Sequence, residues 1–129
     1  MLKLSSNVRS VSKVEPFVEK LVSRYNLDPN RKCDILVSLT EAVTNAIVHG
    51  NCESEDKMVK VRSKKEKDCI SVQVSDEGQG FDMNTLPDPT TPERIHECGG
   101  RGVFLMKQLC DNLRFYNNGS TVEMSFRIK

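Results

Sequence analysis

Three short segments carry residue types whose spacing could do chemistry. In SLTEAVTNAIVHGN (38–51), Glu41, Asn45 and His49 recur every four residues within an otherwise apolar stretch. On a helix this spacing puts a carboxylate, an amide and an imidazole in one row. A carboxylate at the rim of a buried stripe must meet water, a cation or a hydrogen-bond donor, or its pKa rises. Pairing of Glu41 and Asn45 with neighbouring loops is the alternative reading. In VSDEGQGF (74–81), an apolar strand pattern runs into Asp76, then Gly78 and Gly80. Glycines allow a sharp turn and let a ligand approach the main chain. An aspartate at a strand end can accept a hydrogen bond from an exocyclic amine such as that of adenine. The same residues also suit a tight turn with an Asx cap. In CGGRGVFLM (98–106), glycines lead straight into a helical pattern. Free N–H groups and the positive end of a helix dipole make such a start a site for phosphate. Arg101 could add a charge-assisted contact. The alternative there is a plain hinge.

The elements that must position these residues follow from periodicity. Leu2 and Leu4 open a short strand. Apolar residues at 11, 14, 18, 21 and 25 predict an amphipathic helix from Val11 to about Tyr25. After a break at Asn26-Leu27, Asp28 reads as an N-cap with Pro29 at the first helical position. This second helix is predicted to run to about Val48, with Gly50 as its terminator. Its apolar stripe is Ile35, Leu39, Ala42, Val43 and Ala46, and the Glu41 row lies at the edge of that stripe. Four period-two segments follow: Val59 and Val61; Ile70, Val72 and Val74; Leu113 and Phe115; and Val122, Met124, Phe126 and Ile128. Lys65 to Asp68 suggests one hairpin link, and Asn118-Gly119 is a strong signal for another. Strands with one apolar and one polar face predict a sheet covered by helices on one side, which is a two-layer α/β sandwich. Residues 81–98, with Pro87, Pro89 and Pro92, fit no element, and a loop of that length points to a functional lid or a disordered segment.

Composition narrows the function. A chain of 129 residues holds one domain, and 19 basic against 18 acidic residues give no electrostatic argument for nucleic acid or an anionic membrane. The basic run Lys57–Lys67 alternates with Met58, Val59 and Val61 and reads as the wet face of a strand. Five cysteines without a CxxC pair suggest neither a disulfide framework nor a zinc site, and reduced thiols fit the cytoplasm. The N-terminal MLKLSSNVRS lacks an apolar signal core, and no apolar run is long enough to span a bilayer. Neither a P-loop nor a Rossmann glycine pattern is present.

Taken in order, Glu-x-x-x-Asn on a helix, Asp-x-Gly-x-Gly at a strand end, a lid, and glycines opening a helix resemble the GHKL ATPase superfamily. EAVTNAIVHGN looks like its N box, DEGQGF its G1 box and GGRG its G2 box. GSTVEMSF is similar to the G3 segment, with Thr121 in the usual threonine place. The resemblance covers nearly the whole chain. It is closest to the stand-alone anti-sigma factor serine kinases of the RsbW and SpoIIAB type, on EAVTNAIVHG, the LPDP of the lid, and GRGVFLM followed by CDN. It implies one domain over 1–129 with the Bergerat ATP-binding fold, a mixed but mostly antiparallel sheet, helices on one face, and a lid over about 82–100.

The resemblance also implies roles. Asn45 would bind Mg²⁺, and Glu41 would be the general base toward a serine or threonine hydroxyl. Asp76, helped by Thr121, would take the adenine amino group, and Gly78 and Gly80 would let base and sugar approach. Gly100, Arg101 and Gly102 would cradle the phosphates of ATP. Cys98 stands where related lids often place an arginine. The implied activity is that of a protein serine/threonine kinase acting on a STAS-type antagonist, and of an anti-sigma factor. The alternative is a catalytically weak, nucleotide-dependent switch that sequesters a sigma factor or another regulator. The expected partners are ATP or ADP, the antagonist, the sigma factor and a second copy of the chain, without nucleic acid or membrane. His49 is read as a structural end to the helix before Gly50.

Overall fold

The computed structural model describes residues 1–52, 54, 56–78, 100–117 and 120–128, with the backbone alone at 100–103. Strand β1 (Leu2–Ser5) leads into a 3-10 segment, Val8–Lys13, and then helix α1, Val14–Tyr25. The helix expected from Val11 therefore starts three residues later. Local side-chain bonds explain the delay. Asn7 accepts from the Arg9 N–H at 2.9 Å, and the Ser12 hydroxyl donates to the Arg9 carbonyl at 2.9 Å. Such bonds favour a tight turn over a regular helix. α1 buries Val14, Val18 and Leu21 on one face. It stops at Asn26, whose left-handed conformation (φ 52°, ψ 53°) suits an asparagine after a helix end.

Helix α2 (Pro29–Asn45) begins as the sequence predicts, with the Asp28 carboxylate accepting from the Asn30 N–H at 2.7 Å. Its end differs from the expectation. Regular α-helical bonding stops at Asn45, and the chain continues through a wider π-helical turn, Ala46–Gly50. That turn is closed by the Asn51 N–H on the Ala46 carbonyl at 2.8 Å. After it come β2 (Met58–Lys65) and β3 (Cys69–Ser75), then α3 (Gly100–Leu109), β4 (Asn112–Tyr116) and β5 (Thr121–Arg127).

The described strands form one five-stranded sheet in the order β1-β2-β3-β5-β4, with every described pair antiparallel. β2 and β3 make the expected hairpin, with Lys65 opposite Ile70. β5 inserts between β3 and β4, pairing Val72 with Met124 on one side and Leu113 with Met124 on the other. The turn at Asn118-Gly119 lies outside the described residues.

One sheet face supplies Leu4, Val59, Val61, Ile70, Val72, Val74, Met124 and Phe126 to the core, where they meet Val18, Ile35, Leu39, Val43 and Ile47 from the helical layer. The other face is polar. Ser71 and Ser125 share a hydrogen bond at 3.1 Å, and Gln73 donates to Glu123 at 2.8 Å. Apolar burial on one face only gives the two-layer α/β architecture read from the alternation of residues. α2 is the central helix, packed on α1, α3, β3 and β5. Among the described residues no helix is long and apolar enough to cross a membrane.

Candidate functional site

The site begins with the stripe that anchors α2. Ile35, Leu39, Ala42, Val43 and Ala46 are all buried. Their burial fixes the rotation of the helix and leaves Glu41 and Asn45 half-buried at the stripe's margin. Four residues apart, the two lie about 6 Å apart along the helix axis. Among the described residues neither side chain has a hydrogen-bond or ion-pair partner, so the loop pairing considered for them is not seen there. His49 is exposed. It sits within the wide turn, where the angular step per residue is no longer α-helical, so spacing by four no longer stacks it squarely over Asn45. The short row is therefore a pair, Glu41 and Asn45, followed by a histidine on a different geometry.

The wide turn carries the chain to Gly50, and there it meets β3. The Gly50 main chain lies so close to Asp76 that a Cβ on it would fall 2.3 Å from Asp76 Oδ2. A Cβ on Gly78 would fall 1.8 Å from the Gly50 carbonyl oxygen. A Cβ at Gly78 would strike the Gly50 backbone, and one at Gly50 would push the Asp76 carboxylate aside, so glycine at both points permits the close approach. Asp76 is fixed within this contact. Its N–H donates to the Ser120 carbonyl at 2.8 Å, and its Oδ1 accepts from the Gly78 N–H at 2.8 Å. The Asx-type cap is thus real, and it occurs together with the close glycine approach. Among the described residues no donor meets Oδ2. Burial pushes the Asp76 carboxyl above the usual aspartate range, against the opposing pull of the Gly78 N–H and of Lys57.

Thr121 is buried at the start of β5, opposite Ser75. Its hydroxyl meets Ser75 Oγ at 3.1 Å and accepts from Asn117 Nδ2 at 3.3 Å. The structure places Thr121 beside the strand end that carries Asp76 but gives it no hydrogen bond to that carboxylate. The backbone of Gly100, Arg101 and Gly102 forms the first turn of α3, and their side chains lie outside the described atoms. Gly80 and residues 82–99 of the lid expected over about 82–100 lie outside the described residues.

Sequence reasoning read Gly50 only as a helix terminator and missed Asn51 altogether. Asn51 is fully buried, and its side chain bonds to Ser6, Met58 and Glu77. Its only signal in the sequence is its place directly after Gly50, and no periodic pattern marks it.

Comparison with known proteins adds family and fold. A family model described as "Histidine kinase-like ATPase domain" matches residues 4–126. The serine-protein kinase RsbW of Listeria innocua is 31% identical over 99 residues, 71% of this chain and 63% of that protein. The serine-protein kinase RsbW of Bacillus subtilis is 35% identical over 100 residues, 71% of this chain and 62% of that protein. The match thus spans just under two thirds of the length of these RsbW proteins. The anti-sigma F factor of Clostridium novyi is 30% identical over an alignment of 136 positions, 98% of this chain and 95% of that protein. Among solved structures, the histidine kinase domain of the Erythrobacter litoralis EL346 blue-light activated histidine kinase superposes with a TM-score of 0.57. That similarity covers 77% of this chain and 45% of that chain at 22% identity, and it shows a shared fold.

Proposed function

Because the chain belongs to the histidine kinase-like ATPase family, we propose that it binds Mg-ATP and phosphorylates a serine or threonine of a partner protein. We take that partner to be a STAS-type antagonist, and we take the chain to act in the cytoplasm as an anti-sigma factor and as a homodimer. The names of its relatives, serine-protein kinase and anti-sigma F factor, support both activities. The observation that carries the reading is the Asp76 carboxylate, pressed on the Gly50 and Gly78 main chain, at the end of the helical path that presents Glu41 and Asn45.

The residues present fit such a ligand. Asp76 keeps one oxygen without a donor among the described residues, suited to the amino group of adenine; Gly78 lets the turn after Asp76 pack on the Gly50 carbonyl, and we take Gly80 to let a flat ring approach the main chain. Thr121 braces the strand end beside Asp76. Asn45 offers an amide oxygen, a hard neutral donor that suits Mg²⁺ together with phosphate and water. Bound Mg²⁺ supplies charge neutralisation for the transferring phosphoryl group. Gly100, Arg101 and Gly102, at the start of α3, hold the phosphates through main-chain N–H groups and the guanidinium. Glu41, one turn before Asn45, accepts the proton of the substrate hydroxyl as its oxygen attacks the γ-phosphorus, while the bond from that phosphorus to the β,γ-bridging oxygen breaks and ADP leaves.

The test is phosphotransfer from labelled Mg-ATP to purified STAS-domain proteins, with mapping of the modified residue. Transfer to a serine or threonine is expected. In Glu41→Gln it falls by about 10²–10⁴-fold, the usual size of a general-base contribution, while ATP affinity changes little. ATP binding without any transfer by the wild-type chain would replace the kinase with a sequestering switch. No ATP binding at millimolar nucleotide would end both readings.

A further inference from the structure

Consecutive residues of two distant segments meet in pairs beside the proposed base site. Gly50 lies against Asp76, and the next residues, Asn51 and Glu77, are joined by a hydrogen bond from the Glu77 N–H to Asn51 Oδ1 at 2.7 Å. The other end of the Asn51 amide donates to Ser6 Oγ at 2.8 Å and to the Met58 carbonyl at 3.1 Å. Ser6 in turn donates to the Lys57 carbonyl at 2.6 Å. The Glu77 carboxylate accepts from the Met58 N–H, which closes a ring of Asn51, Met58 and Glu77. The orientation of the amide follows from its partners, because a backbone N–H can only donate and a carbonyl can only accept. Asn51 is fully buried. Losing one of these partners would leave a buried polar group unpaired, so the ring holds its members together.

We infer that Asn51 is a positioning residue for nucleotide recognition, holding the Asp76–Gly78 turn at the distance from α2 that base selection requires. The inference rests on the proposal that Asp76 receives the adenine amino group. The chemistry then predicts selectivity, since adenine presents an amino donor where guanine presents a carbonyl acceptor. A carboxylate held in place accepts from the first and repels the second. A carboxylate free to withdraw loses the distinction. Glu41 and Asn45 lie outside the ring, so the phosphate end of the site is untouched.

The experiment titrates the full chain with Mg-ATP and with Mg-GTP by calorimetry, for wild type, Asn51→Leu and Asn51→Asp. Asn51→Leu removes all three side-chain bonds. Asn51→Asp keeps the acceptor for the Glu77 N–H and loses the donors toward Met58 and Ser6. The ATP-over-GTP preference is expected to fall about tenfold in Asn51→Leu, the size of one lost hydrogen bond in a buried site, and by less in Asn51→Asp. In phosphotransfer, KM for ATP rises while kcat is kept. Should Asn51→Leu fail to fold, Ser6→Ala takes its place, with a fall in preference of about twofold expected from its smaller loss. Parallel weakening of ATP and GTP, or unchanged preference in the folded variants, overturns the inference. A wild-type chain that binds both nucleotides equally refutes the reading of Asp76 itself, and the role of Asn51 goes with it.

Discussion

Substituting Gly50 with alanine should weaken nucleotide binding while leaving the chain folded. The added Cβ would lie 2.3 Å from Asp76 Oδ2, 2.4 Å from its Cγ and 2.8 Å from its Oδ1, where ordinary contacts begin at 3.4 Å. The carboxylate must therefore withdraw by about 1 Å. It cannot do so freely, because the Asp76 N–H is held by the Ser120 carbonyl and its Oδ1 by the Gly78 N–H, both at 2.8 Å. Losing the bond to Gly78 costs about 1–3 kcal/mol. Gly50 itself has no left-handed φ. Alanine is thus compatible with its backbone and returns up to about 1 kcal/mol through a less flexible unfolded chain. Net destabilisation should stay below about 2 kcal/mol by urea titration. Displacing a charged acceptor from the adenine amine costs about 1.5–3 kcal/mol, or roughly 10- to 100-fold in affinity. Calorimetry with Mg-ATP reads this directly. The effect should disappear in the Asp76→Asn background, since both changes act on one contact. Wild-type ATP affinity in Gly50→Ala would refute the reasoning, and so would full additivity with Asp76→Asn.

Asn45→Ala should weaken ATP binding in the presence of Mg²⁺ by about tenfold or more and have little effect in EDTA, measured by the same titration. Asp76 gives a pH signature. Its folded pKa is raised by burial, so the stability linked to its proton is present below the unfolded pKa and lost as pH rises through the folded one. Asp76→Asn should accordingly stabilise the chain at neutral pH in denaturant titrations. ATP affinity moves the other way, rising with pH through the raised pKa, and Asp76→Asn should abolish that rise. Thr121→Val removes the hydroxyl that meets Ser75 and Asn117. It should cost about 1–2 kcal/mol of stability with a smaller loss of ATP affinity than Gly50→Ala.

What the sequence declared well was everything set by local pattern. Asp28 and Pro29 marked the start of α2 because capping is a short-range interaction, and alternation marked β2, β3 and β5 because a half-buried strand has period two. The stripe from Ile35 to Ala46 located the core face of α2, and with it the edge that carries Glu41 and Asn45. The period of 3.6 also misled. It ran the helix on to Val48, whereas the chain widens at Ala46 so that Gly50 can reach Asp76. That choice is made by a tertiary contact, which a periodicity cannot register. Val11 was drawn into α1 for a related reason, since its spacing suits a helix while Asn7 and Ser12 bond the backbone into a tighter turn. Asn51 stayed hidden because its partners, Ser6, Met58 and Glu77, are distant in sequence or belong to the main chain. The insertion of β5 between β3 and β4 was equally out of reach, as identical alternation suits a central or an edge strand.

That insertion governs how the chain can be assembled during synthesis. β1, β2 and β3 leave the ribosome long before residues 121–127, yet β3 finds its second neighbour only in β5. Until then Ile70, Val72 and Val74 sit on an open strand edge, and the cleft that Met124 and Phe126 will fill stands unclosed. Non-local pairing of this kind is slow, and an open apolar edge can be captured by another chain. The risk of misassembly is therefore concentrated in the interval before the last strand arrives, and substitutions that delay β5 should lower the yield of soluble protein more than their effect on final stability predicts.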